Sequence, residues 1–66
     1  MKNRLKIQRA IHELTQAQLA DEIGVTRQSI NAIEKGKYVP STVLALKIAR
    51  LFKEPVEHIF LLEEND

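Results

Sequence analysis

Residues 15–36, TQAQLADEIGVTRQSINAIEKG, decide how the rest of the chain reads. They divide into two short helices around a tight turn. Thr15 is placed to cap the first helix, its hydroxyl accepting from a backbone N–H that the helix leaves unpaired. Leu19, Ala20 and Ile23 follow at one-turn spacings on a single face. Gly24 comes next, where a helix end favours a residue at ease with positive φ. Val25 can plug the corner, Thr26 is placed to cap again, and Ile30 and Ile33 supply the second helix's buried stripe. Gly36 stops that helix. Cap, helix, glycine turn, cap, helix and glycine stop together spell a helix-turn-helix.

The second helix opens on Arg27, Gln28 and Ser29, with Asn31 one turn on. Arg can bridge O6 and N7 of guanine, and Gln or Asn can bridge N6 and N7 of adenine. Such groups at the N-terminal end of a second helix suit insertion into a major groove. The plain alternative is a solvated face on a small bundle. The double cap, the glycine turn and the polar cluster together favour DNA.

Residues 15–41 follow the pattern TQxxLAxxIGVTRQxIxxIExGKYxPS. In this they resemble the Cro/CI-type (XRE) helix-turn-helix regulators, and the resemblance extends over nearly the whole chain. It is strongest to short, stand-alone members that begin MKNRL and end in a brief apolar tail. Many residue types and spacings must coincide, so the match is specific. It implies an all-α, five-helix, lambda-repressor-like bundle over residues 1–66, a single DNA-binding domain. It also implies a homodimer on double-stranded DNA, usually a repressor. Arg27, Gln28 and Asn31 would read bases, with Thr26 and Ser29 bordering them. Gln16, a polar first-turn residue with no evident task of its own, takes from the resemblance a phosphate contact and a role bracing a recognition-helix side chain.

The totals set bounds. Sixty-six residues make one domain with one small core. There is no cysteine, hence no disulfide framework and no thiolate chemistry. No apolar run reaches membrane-span length and the N-terminus lacks a signal-peptide core, so a soluble, cytoplasmic protein is expected. Net charge is only +1, but residues 1–53 hold all ten Lys and Arg with four acids, a net of +6. Residues 54–66 hold the other five acids, a net of −5. The basic body can attract phosphates, and the acidic tail should point away from them.

The first helix, expected over residues 5–13, admits two registers. Simple periodicity selects Ile7, Ala10, Ile11 and Leu14 as the core face. The resemblance instead turns Leu5, Gln8, Arg9 and His12 inward and brings Arg9 to Glu34 as a structural ion pair. We adopt the second register, because paired hydrogen bonds to a carboxylate explain both residues. Ile7 and Ile11 are then surplus apolar residues. Beyond Gly36, Lys35 and Lys37 can neutralise phosphates and the Tyr38 hydroxyl can donate to one, or Tyr38 can lie as a half-buried lid.

Ser41 should cap a central fourth helix built on Leu44, Ala45, Ile48, Ala49, Leu51 and Phe52, with Val43 and Leu46 left over. Pro55 suits the first turn of a short fifth helix, closed by Val56, Ile59 and Phe60. The apolar tail of residues 59–62 either pairs with residues 1–5 as a two-stranded antiparallel patch or meets a second subunit. Related short regulators suggest both. Phe60, Leu61, Leu62 and Leu46 are accordingly the dimerisation candidates.

Other chemistry is set aside. His12 and His58 lie on different helices without a cysteine cluster, so we expect two solvated imidazoles and no metal. Ser29 has no activating base, Glu63 and Glu64 read as a solvated tail, and the lone glycines are helix stops. No enzyme activity and no cofactor are expected. The alternatives to a DNA-binding regulator are a protein-interaction adaptor or an antitoxin, either with a protein partner on the C-terminal tail.

Overall fold

The computed structural model describes all 66 residues. A short strand, β1 (Lys2–Asn3), leads into α1 (Leu5–Ile11), α2 (Gln16–Ile23), α3 (Arg27–Glu34) and α4 (Thr42–Phe52). A single 3-10 turn (Val56–His58) and β2 (Phe60–Leu61) complete the chain. The strands pair antiparallel, Lys2 opposite Leu61 and Asn3 opposite Phe60. No helix is long and apolar enough to cross a membrane.

Three of the four helices start on side-chain caps. Thr15 Oγ1 accepts from Gln18 N at 3.0 Å, and Gln18 Oε1 accepts from Thr15 N at 2.8 Å, closing a capping box. Thr26 and Ser41 accept in the same way from Ser29 N and Leu44 N, each at 3.1 Å. Helix ends are equally local. Gly36 has φ +74°; its N–H reaches Ile33 O and the N–H of Lys37 reaches Ala32 O, a Schellman pattern. α1 and α4 end in the same pattern on Glu13 and Lys53, both at φ +56° although neither is glycine.

The fully buried large side chains are Leu5, Leu19, Ile30, Ile33, Ile48 and Ile59. They come from α1, α2, α3, α4 and the C-terminal segment, so all four helices and that segment are pinned to the same core. Each contributes about 1.5–3 kcal/mol by leaving water. Val25 packs against this core from the α2–α3 corner.

The structure corrects the expected helix count. Residues 56–58 make one 3-10 turn rather than a fifth α-helix, and Pro55, at ψ 142°, precedes it in an extended conformation. Three residues leave no room for the repeated bonds of an α-helix before Ile59 and Phe60 must enter the core. α1 stops at Ile11, short of the expected Glu13, because Glu13 takes the left-handed conformation. Its register is the one that buries Leu5, leaving Ile7 and Ile11 at 57% and 66% exposure. His12 is not simply solvated: its ring lies 4.9 Å from that of Phe52, tilted by 44°.

The tail folds back on the N-terminal segment, the two-stranded alternative of the sequence reading. The Met1 ammonium contacts Asp66 Oδ1 at 3.1 Å and Glu63 Oε1 at 3.2 Å. Asp66 and Glu63 raise its pKa above the ordinary 8.0, while the Glu63 N–H and then the ammonium hold the Asp66 carboxyl below its usual range. Glu63 also lines a hollow with Lys35 and Gly36, which sets tail charge beside the C-terminal end of α3.

Candidate nucleic-acid interface

α3 is fastened on its inner face by Ile30 and Ile33, and its remaining faces carry the polar cluster. Arg27 and Gln28 are exposed at its first turn and make no hydrogen bond or ion pair within the chain. Thr26 Oγ1 and Ser29 Oγ lie 3.0 Å apart, so both hydroxyls are already engaged with each other at the cap. Asn31 is half-buried one turn further on.

Asn31 is braced from α2. Gln16 Nε2 donates to Asn31 Oδ1 at 3.2 Å and to Glu34 Oε1 at 3.1 Å. Glu34 is gripped in turn by Arg9, whose Nε donates to Oε2 at 2.7 Å and whose Nη2 donates to Oε1 at 3.2 Å. Arg9 Nη1 also donates to Leu14 O at 2.9 Å, tying the turn between α1 and α2. The Glu34 side chain is only 6% exposed and that of Arg9 17%, so the pair works largely out of water. The bonded carboxylate raises the Arg9 pKa above its ordinary value. Arg9, Glu34, Gln16 and Asn31 thus form one continuous chain of hydrogen bonds from α1 to the exposed side of α3.

Past the helix, Lys35, Lys37 and Tyr38 are exposed, with no ion pair to either lysine. Tyr38 is 46% exposed and its hydroxyl has no partner within the chain. Among the dimerisation candidates the structure separates one from the rest. Phe60 is buried at 8% in its own core, so it is not a surface residue, because β2 turns it inward at the place where the bundle closes. Leu61 is half-buried, and Leu46 and Leu62 are 54% and 83% exposed.

Two residues near α3 escaped the reading of the sequence. Asn3 Nδ2 donates to Ile33 O at 2.8 Å while its Oδ1 accepts from Leu5 N at 3.2 Å, linking the sheet to the C-terminal end of α3 and the start of α1. Its bond to Leu5 N is local and an Asn just before a helix could have suggested it, whereas its bond to Ile33 O spans thirty residues and has no local signal. Ala32 shares the face opposite Ile30 and Ile33 with Gln28, one turn along, and the helical period alone could have found it.

A capped second helix with free Arg and Gln groups at its exposed end, braced by the helix before it, defines a helix-turn-helix protein. Residues 5–59 match the helix-turn-helix family. An HTH-type transcriptional regulator of Methanocaldococcus jannaschii is 56% identical over 66 residues, covering 100% of both chains. The HTH-type transcriptional regulator YgzD of Bacillus subtilis is 50% identical, again covering 100% of both. A regulator of the same description from Archaeoglobus fulgidus is 47% identical, across 100% of this chain and 93% of its own. The chain belongs to the XRE-type helix-turn-helix family of DNA-binding transcriptional regulators, generally without enzymatic activity.

Proposed function

We propose that residues 1–66 form one sequence-specific, double-stranded DNA-binding unit that represses transcription in the cytoplasm. The observation that carries this reading is the unpaired Arg27–Gln28 pair beside a braced Asn31 on the outer side of α3. Arg27, Gln28 and Asn31 read base edges in the major groove, and Thr26 and Ser29 border them. Ala32 presents a methyl group suited to thymine. Gln16, Lys35, Lys37 and Tyr38 meet phosphates, which set affinity and register but not sequence choice.

Two copies associate through Leu61, Leu62 and Leu46, whose exposed apolar surface has no cover in one chain. Their recognition helices then enter successive major grooves, with half-site centres roughly 34 Å apart on a near-palindromic operator. Exposed Leu62 and Leu46 also support a second reading, an adaptor or antitoxin whose protein partner covers the tail.

Selection from a random duplex library, followed by titration of the enriched site at two salt concentrations, tests this. A palindrome with one-turn half-site spacing is the expected result. Weak, sequence-blind binding would reject it. Arg27→Ala or Gln28→Ala should flatten the preference between operators by about 1–3 kcal/mol. Lys37→Ala should instead weaken all duplexes alike and reduce the salt slope by about 1. An equal loss across sequences for Arg27→Ala would remove it from the readers.

A further inference from the structure

We propose that the exposed ridge of α1, formed by Ile7, Ala10 and Ile11, pairs antiparallel with the same ridge of a second copy of this chain, in a weak two-fold contact separate from the tail. The contact stands whether or not the DNA-binding reading above holds.

The inner face of α1 is taken up by Leu5 and Arg9. On the outer face Ile7 and Ile11 are 57% and 66% exposed, and Ala10 between them is exposed as well. Single exposed aliphatic residues are ordinary, but two of them one helical turn apart make a continuous apolar strip. The chain's own apolar tail does not cover it. That segment is engaged elsewhere, its strand on β1 and its Glu63 and Asp66 on the Met1 ammonium.

The charges at the two ends of the ridge identify the occupant. Lys6 stands at the N-terminal end and Glu13 at the C-terminal end, both exposed and neither in an ion pair within the chain. A partner carrying one sign of charge is attracted at one end and repelled at the other. A second copy laid antiparallel meets opposite charge at both ends, Lys6 facing Glu13 of the second copy and Glu13 facing its Lys6. The same arrangement sets Ile7 beside Ile11 of the second copy and brings each helix end to the opposite dipole end of its neighbour. Ala10 then falls near the two-fold axis, where a small side chain lets two helices approach to about 8 Å.

Three side chains from each copy cover far less than the roughly 800 Å² per partner of a stable interface. The contact therefore does not hold two copies together in dilute solution, and it acts where something else has already brought them close. With the tail contact proposed above, the chain has two different two-fold surfaces, enough to join one dimer to the next.

Thiol trapping tests the pairing, because the chain has no cysteine and Ala10→Cys adds a single thiol beside the axis. At about 1 mM protein in a glutathione buffer, the disulfide-linked dimer should form about 10-fold faster than in Gln18→Cys, an exposed position on α2. In the Ala10→Cys background, Lys6→Glu and Glu13→Lys should each slow trapping by about 3-fold, since each sets like charges against one another across the axis. Both together should restore it. A purely local effect on the thiol behaves differently: Lys6→Glu disfavours the thiolate and Glu13→Lys favours it, so the two single variants move the rate in opposite directions. Ile11→Asp, at an exposed position that leaves the fold intact, should bring trapping down to the Gln18→Cys rate.

Trapping no faster than in Gln18→Cys would overturn the proposal. So would single charge variants that shift the rate in opposite directions, or a double variant that fails to restore it. A rate lowered by Glu64→Lys but not by Glu13→Lys would assign the ridge to the tail of the second copy and overturn the antiparallel pairing. Library selection reads the DNA contact separately, so failure of either reading leaves the other standing.

Discussion

Leu5→Ala should lower the free energy of unfolding by about 2–5 kcal/mol, whereas Ile7→Ala, in the same helix, should change it by less than about 0.5 kcal/mol. Leu5 is fully buried and Ile7 is 57% exposed, although both are large aliphatic residues. Removing the Leu5 side chain leaves a cavity in the buried cluster it shares with Ile33, Ile48 and Ile59. Truncating Ile7 mainly trims solvated surface, and Ala is the better helix former. A chain of this size has about 0.05–0.15 kcal/mol of stability per residue, so the first variant should approach unfolding at room temperature. Urea denaturation of the two variants side by side measures the difference. Equal losses would mean that α1 sits in solution in the register that buries Ile7 and Ile11.

The second large effect is expected at Arg9. Arg9→Ala should cost about 2–3 kcal/mol, somewhat less than a fully buried pair would lose, because the Arg9 side chain keeps 17% of its exposure. The loss comes less from the missing attraction than from what is left behind. The Glu34 carboxylate, 6% exposed in the parent, is left with the Gln16 amide as its one remaining side-chain donor and no counter-charge, and Leu14 O loses its Arg9 donor. Replacing both partners by apolar residues, Arg9→Met with Glu34→Leu, should return stability to within about 1 kcal/mol of the parent. Base preference should not return with it, because Gln16 would then have no carboxylate to orient its amide. Thermal or urea unfolding beside library selection separates the two roles. Recovery of both in the double variant would show that the ion pair serves stability alone.

These two predictions mark the boundary between local and long-range information. The caps at Thr15, Thr26 and Ser41, the left-handed Gly24 and Gly36, and the faces of α2, α3 and α4 depend on residues within about one helical turn of one another. Chain order is enough to specify them, and with them the helix-turn-helix and the polar end of α3. The stops at Glu13 and Lys53 are also local in geometry, but no residue type announces them, since neither side chain prefers positive φ. The last segment is too short for its composition to distinguish a 3-10 turn from an α-helix.

Other features lay beyond any reading of neighbours. α1 carries apolar residues on two faces, so its periodicity alone points to Ile7 and Ile11, and only contact with α3 turns Leu5 and Arg9 inward. Phe60 and Leu62 are alike in composition, yet strand pairing sends the first into the core and leaves the second in water. The bonds from Asn3 to Ile33, from Arg9 to Glu34 and from Gln16 to Asn31 span 30, 25 and 15 residues. Chain order by itself thus determined the helices α2 to α4, their ends on glycine and the identity of the polar groups at the exposed end of α3. The tertiary structure alone decided which face of α1 is buried, which tail residues stay exposed and which way the Asn31 amide faces. The reason is physical: caps and turns are settled by hydrogen bonds within a few residues, whereas burial and the orientation of a side-chain amide depend on partners that only packing brings together.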